Sequence, residues 1–280
     1  GAGAAMPLSY LLAGFILLPG LMSKVELATA MPKAGGIYYF LDRSMGPLVG
    51  TIGGFGTWIS LVLKSAFALV GVGAYLHLFF PGLELGPIAA GFAVFFGVVN
   101  HFGAKKSSSF QVFLLIGVLI LLAWFCGLGA LRTDFAEFGG FYDSGSTGII
   151  STAGLVIVSY MGMTKVASVA EEVKDPERNL PLGMFLAFAS IIVIYVVGTT
   201  VMIGVVGVDT LALDGGDLTP VATVAERLAG PWGALVMTVA AVLAFSSVAN
   251  AGILSASRYP LAMGRDRLLP DVFGEIGDRG

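Results

Sequence analysis

Long apolar runs separated by short polar connections set the pattern of this chain. A helix of about 20 predominantly apolar residues matches the thickness of a bilayer's hydrocarbon core. On that criterion the sequence predicts spans near residues 7–31, 47–80, 87–101, 110–131, 151–173, 181–208 and 231–259, about seven in all, with the third short. The connections carry their own signals. Residues 37–45 read as a short amphipathic helix with Tyr38, Tyr39 and Phe40 beside Asp42 and Arg43, a mixture suited to the headgroup region. Thr219-Pro220 reads as an N-cap and first helical residue opening a further amphipathic helix, and Asp175-Pro176 and Asn179-Leu180-Pro181 punctuate the connection before span 181–208.

One span departs from this pattern. The segment 148–181 begins with an uncharged run to Val158, continues Ser159-Tyr160-Met161-Gly162-Met163-Thr164, and then takes on Lys165, Glu171, Glu172 and Lys174. A membrane anchor needs no such middle. Irregular backbone at membrane depth is tolerated only where protein or a water-filled cavity satisfies the freed N–H and C=O groups, and transporters build substrate sites at such breaks. The segment is therefore expected to be a broken helix. Carbonyls around Ser159–Gly162 would accept a substrate ammonium or a cation, and Tyr160 would stack over the site or gate it.

Composition narrows the class. With 56% apolar and 12% charged residues and a mean hydropathy of +0.91, the chain is expected to be an all-α integral membrane protein. The 40 glycines fit closely packed spanning helices, and Gly50-x-x-x-Gly54 reads as a packing motif. A formal net charge of −3 gives no footing for nucleic acid or an acidic partner. The single cysteine, Cys126, rules out an intrachain disulfide framework. There is no HExxH, phosphate-binding loop or strand-flanked GxGxxG, so no enzyme class and no cofactor is indicated.

Charge also fixes an expected orientation. If the first span runs inward, Lys33, Arg43, Lys105, Lys106, Lys174, Arg178, Arg258, Arg265, Arg267 and Arg279 are cytoplasmic, leaving only Arg132 and Arg227 outside. The chain opens GAGAAMPLSY, without an initiator methionine or a basic stretch ahead of a cleavage site, and closes in the polar FGEIGDRG. A segment of a longer protein, with a helix preceding it, is the expectation.

Other polar residues lie inside the spans. Lys64 stands near the middle of 47–80, where an ionisable group faces a cavity or a partner, and it becomes a candidate substrate-site or coupling residue. Ser246, Ser247 and Asn250 place oxygen atoms inside 231–259, and the two serines are candidate ligands for a coupling cation. Glu26 is expected to contact a loop or Lys24, and Glu171 and Glu172 to pair with basic loop residues. His77 and His101 lack metal-ligand spacing.

Several stretches together resemble the amino acid–polyamine–organocation superfamily of permeases. They are Glu26-Leu27-Ala28 leading into Met31-Pro32-Lys33-Ala34-Gly35-Gly36-Ile37-Tyr38-Tyr39, then Gly46-Pro47; Gly162 with Ala170-Glu171-Glu172-Val173-Lys174-Asp175-Pro176-Glu177-Arg178-Asn179-Leu180-Pro181; and Ser257-Arg258 with Ala262-Met263-Gly264-Arg265-Asp266-Arg267-Leu268-Leu269-Pro270. The resemblance covers nearly the whole chain. It implies a LeuT-like inverted-repeat transporter fold, present here in part as helices two to eight, with the broken segment as the sixth helix and Lys64 in the third, facing the substrate cavity. It also implies that Ser246 and Ser247 occupy the eighth helix, which in sodium-coupled relatives contributes hydroxyls to a cation site. Many members carry Glu two residues after the glycine of the sixth-helix break. This chain has Thr164, a departure that tells against a gating role carried over from that Glu and weakens the case for cationic substrates.

The expectation is an amino-acid permease working by alternating access in the cell (plasma) membrane, coupled to H+ or Na+ or exchanging. Its substrate would be held by Ser159, Tyr160, Met161, Gly162, Thr164 and Lys64. A passive pore and a non-transporting scaffold or receptor are the alternatives; counterflow of labelled substrate separates a transporter from a pore, which lacks it.

Overall fold

The computed structural model describes residues 1–80, 82, 84–101, 104–160, 162, 165–211 and 219–274, with backbone only at 104–108. Its helices are α1 (Met6–Ala30), α2 (Ile37–Met45), α3 (Pro47–His77), α4 (Leu85–His101), α5 (Ala104–Ala130), α6 (Gly145–Tyr160), α7 (Lys165–Ser168), α8 (Pro176–Leu211) and α9 (Pro220–Arg265). No strand occurs among the described residues. Six segments are long and apolar enough to cross a membrane, α6 and α7 counted as one, and α4 is a shorter apolar helix. Phe67, Phe113 and Leu155 are 76%, 69% and 72% exposed on these helices. Water would not tolerate that array, whereas lipid chains would cover it. The chain is a multi-pass membrane protein with the all-α, LeuT-like plan.

Local chemistry explains the helix boundaries. Pro176 and Pro220 stand at first helical positions, where the missing N–H costs nothing. The carbonyl of Thr219 accepts the N–H groups of Ala222 and Thr223 at 2.9 and 3.2 Å, starting α9 as the Thr-Pro signal predicts. α9 is interrupted at Ala229 and Gly230, the latter at φ +65°, so the amphipathic turns after Pro220 and the long apolar run are separately directed. Within the spans, hydroxyls of Thr29, Ser65, Ser190 and Thr200 bond to the carbonyl four residues back, which satisfies them without a tertiary partner.

The chain forms two compact units. One comprises residues 1–20, 116–162 and 186–242. Phe125, Val201, Val224, Ala225, Leu228, Met237 and Ala240 form its main core. Gly14 admits Ile192, whose Cδ1 would lie 2.9 Å from a Cβ placed there. Arg132 donates to the carbonyl of Leu228 at 2.7 Å, placing a cation at the carbonyl end of the turns before the α9 interruption.

The other unit comprises residues 21–115, 163–185 and 243–280. α2 folds back onto α3 through Gly46, at φ +90°. The approach is close because α3 presents glycine: a Cβ on Gly50 would lie 2.7 Å from Asp42, and one on Gly54 would lie 2.8 Å from Tyr38 and from Met263. The packing reading of Gly50-x-x-x-Gly54 is the one realised.

Candidate functional site

In the first unit α6 ends at Tyr160, and the final carbonyls of a helix lack the partner four residues on. Tyr195 of α8 donates its hydroxyl to one of them, the carbonyl of Ser159, at 3.2 Å. Tyr160 is fully buried and donates to the carbonyl of Tyr10 in α1 at 2.9 Å. Its ring packs edge-on against Tyr195 with centroids 5.1 Å apart, and lies 6.1 Å from Phe188 and 6.4 Å from Tyr10. Three tyrosines from three helices thus gather at the end of α6. Ser159 and Gly162 are exposed, and among the described residues no atom beyond its chain neighbours lies within 4 Å of where a Cβ on Gly162 would stand. Open space beside the exposed helix end leaves room for a ligand.

Met161 and Thr164, also expected in the substrate site, lie outside the described residues, as does Met163 between them. Tyr10 and Tyr195 were not foreseen. Each is an aromatic within an apolar run, and only the fold brings them to Tyr160; their phenols, able to donate inside a span, were the one available signal.

The second unit holds the polar residues of α3, α4 and α7, those of α5 up to residue 115 and those of α9 from residue 243. Lys165 opens α7 and donates its ammonium to the carbonyl of Val248 in α9 at 3.2 Å, while its own carbonyl accepts the Ser255 hydroxyl at 3.4 Å. Lys64 is half-buried on α3 and forms no ion pair among the described residues. Ser246 is buried in α9; the neighbouring Ser247 hydroxyl oxygen accepts from the Gln111 amide of α5. Asn250 continues that network, accepting from the Asn100 amide at 2.9 Å and donating to Gln111 Oε1 at 3.2 Å. A cation at Ser247 would have to share an oxygen that already serves an amide.

The polar segments that carry the family resemblance meet at one end of this unit. Glu171 accepts from the Ala34 N–H at 3.1 Å and from Arg265 at 3.0 Å. Partial burial opposes its charge, but the Ala34 N–H and the Arg265 guanidinium outweigh that and hold the carboxyl below its ordinary value. Glu172 pairs with Arg258. Both glutamates do find basic partners, and these come from α9 rather than from a loop. Tyr38 donates to Asp266 at 2.8 Å, and Arg43 reaches the other oxygen of that carboxylate at 3.2 Å while lying 5.1 Å from the centre of the Tyr39 ring. Burial first, then the hydrogen bond to Asp266, pushes the Tyr38 phenol well above its usual range. Gly35 and Gly36, at φ +96° and +47°, allow the backbone before α2 to press against Ala262 and Ser168. Glu26 makes no ion pair with Lys24 among the described residues, and it lines a groove of about 630 Å³ with Met22, Glu177 and Phe185.

Comparison with known proteins agrees with this architecture. The family described as amino acid permease matches residues 1–280. "Cationic amino acid transporter 4, vacuolar" of Arabidopsis thaliana is 27% identical over 300 residues, covering 99% of this chain and 49% of the relative. "Branched-chain amino acid permease BcaP" of Bacillus subtilis (strain 168) is 25% identical, covering 98% of this chain and 63% of the relative, and the "Methylthioribose transporter" of the same organism is 26% identical at 99% and 63%. The chain therefore spans about half to just under two thirds of the length of these relatives. With the family matched from the first residue to the last and the helical plan in agreement, the chain belongs to the amino acid permease family of the amino acid–polyamine–organocation superfamily.

Proposed function

We propose that the protein to which this chain belongs is a secondary active transporter that moves amino acids across a membrane by alternating access. The observation that supports this most directly is the end of α6. Ser159 exposes a helix-terminal carbonyl held by a hydroxyl, Tyr160 closes an aromatic wall behind it, and Gly162 leaves open space in front. A substrate ammonium can replace a phenol at such a carbonyl, since both are donors, and the aromatic faces favour a cation. In this reading Ser159, Tyr160, Met161, Gly162 and Thr164 shape the substrate site. Lys64 modulates coupling to H+ or Na+ or exchange, and Ser246 and Ser247 contribute oxygens to a coupling cation.

The relatives' names, cationic amino acid transporter, branched-chain amino acid permease and methylthioribose transporter, support small polar solutes with differing side chains, so the substrate must be argued from this chain's own residues. Relatives named for vacuolar and mitochondrial locations show that the family serves several membranes; the plasma membrane is our proposal for this protein.

The test is uptake into proteoliposomes by the full-length protein. Saturable uptake with counterflow is expected. Tyr160→Ala and Gly162→Leu should each abolish it or raise KM at least tenfold while leaving the protein inserted. Unchanged uptake in both variants removes this site assignment, and uptake without counterflow supports a pore instead.

A further inference from the structure

The groove beside Glu26 plays no part in the substrate site, and all of its lining belongs to the second unit. α1 contributes Met22, Val25, Glu26 and Thr29, the three-and-four spacing of one helical face, and α8 contributes Glu177, Pro181 and Phe185 at intervals of four. Both helices are long and apolar enough to span, and both carboxylates lie near their ends. Glu26 stands four residues before Ala30, about 6 Å along the axis, and Glu177 is the second residue of α8. The volume of about 630 Å³ is that of a site for a small ligand or a headgroup.

Hydrogen bonding in the groove is one-sided. Met22, Val25, Pro181 and Phe185 carry no side-chain donor, and the Thr29 hydroxyl already donates to the Val25 carbonyl at 2.7 Å. Lys24 precedes Glu26 by two positions, about 200° away around the helix, and forms no ion pair among the described residues. Neither groove carboxylate has a hydrogen-bonding or ion-pairing partner among the described residues. A carboxylate only accepts, and a charge left uncompensated beside hydrocarbon is costly. The groove thus offers two acceptors above an apolar floor and lacks a donor.

Its rim indicates what covers it. Leu27 on α1 and Leu182 and Leu186 on α8 are exposed, continuing the apolar surface that lipid chains cover. Arg178, next to Glu177, is also exposed and has no ion-pair partner among the described residues, so a cation suited to a phosphodiester adjoins the acceptors. We propose that this groove binds a phospholipid with a primary-ammonium headgroup, of the phosphatidylethanolamine type. The ammonium donates to Glu26 and Glu177, the phosphodiester faces Arg178, and an acyl chain lies along Met22, Val25 and Phe185. A primary ammonium has three N–H donors, enough for both carboxylates. A choline headgroup has the charge without a donor, and a glycerol headgroup has hydroxyl donors without the charge.

The experiment uses the full-length protein, purified in detergent and equilibrated with equal amounts of phosphatidylethanolamine, phosphatidylcholine and phosphatidylglycerol of identical chains. Lipid retained after gel filtration is counted by mass spectrometry, so the result is independent of transport. Phosphatidylethanolamine should be retained over each of the others by about fivefold, a charge-assisted hydrogen bond discounted for an open groove. Stepwise N-methylation of its headgroup should erase that preference in the wild-type protein. Glu26→Gln and Glu177→Gln, which keep side-chain shape, should each lower the ratio to about twofold, and together to about one. Glu84→Gln, an exposed carboxylate elsewhere in the same unit, should leave it unchanged. Equal retention of the ethanolamine and choline lipids overturns the proposal, as does a ratio unchanged in the double variant. Preference for phosphatidylglycerol overturns it too, since it would show the basic residues acting without the carboxylates. If the double variant fails to fold, the methylation series decides.

Discussion

Glu171 and Arg265, 94 positions apart in the chain, meet at 3.0 Å, and the same carboxylate oxygen accepts the N–H of Ala34. Three separated stretches that carried the family resemblance therefore converge on one carboxylate. Replacing it tests how far that convergence holds the unit together. Glu171→Gln keeps an acceptor for Ala34 but removes the charge facing Arg265, and should cost about 1 kcal/mol, since the pair is part-exposed and screened. The effect should appear as a modest drop in the unfolding midpoint of detergent-solubilised protein. Because the folded-state pKa of Glu171 lies below its ordinary value, its contribution is fully present above the unfolded-state value of about 4.3 and is lost as pH falls through the folded value. The difference between wild type and Glu171→Gln should be constant near neutrality and vanish in acid.

The fold-back of α2 depends on absent side chains. Gly54→Ala places a methyl group 2.8 Å from Tyr38 and Met263 and should destabilise by about 1 to 3 kcal/mol, because neither neighbour can retreat without disturbing the buried cluster around Tyr259. Gly56→Ala, on the same helix with no side chain or other segment of the described residues within 4 Å of the added Cβ, should be neutral or slightly stabilising through helix propensity. Thermal midpoints of the two variants provide the comparison.

The amide network joining α4, α5 and α9 predicts a measurable coupling. Gln111→Leu removes partners from both Ser247 and Asn250 and should cost about 0.6 kcal/mol, the average for polar contacts between membrane helices, and no more than about 1.7. A cycle with Ser247→Ala should return a coupling of about 0.5 kcal/mol or more. Strictly additive losses would show that the contact contributes nothing to stability.

The Ser159 carbonyl offers a test with a direction. If it accepts the substrate ammonium, then Tyr195→Phe removes the competing hydroxyl, and KM should fall two- to fivefold while stability drops by about 1 kcal/mol. A raised or unaltered KM counts against that carbonyl as an acceptor.

Lys64→Ala should alter the pH or sodium dependence of uptake if the residue takes part in coupling. Transport with both dependences unchanged removes that role.

The sequence by itself determined the class and most of the helices, because the bilayer imposes a length and a hydrophobicity that local composition must meet. The pattern located α2 at Ile37–Met45, the Thr219-Pro220 start of α9 and the end of α6 near Ser159-Tyr160, each written in neighbouring residues. It did not show where side chains from distant helices meet. Tyr10 and Tyr195 look like ordinary aromatics in apolar runs until the fold sets them against Tyr160. Gln111 looks incidental until it reaches Ser247, and Glu26 looks paired until the fold leaves it lining a groove. Nothing near Lys165 in the sequence points to the α9 carbonyl it reaches or to the space left by Gly252. These are contacts between residues tens of positions apart, and a local hydrophobic pattern, which constrains only which face of a helix turns inward, carries no information about which partner that face will find.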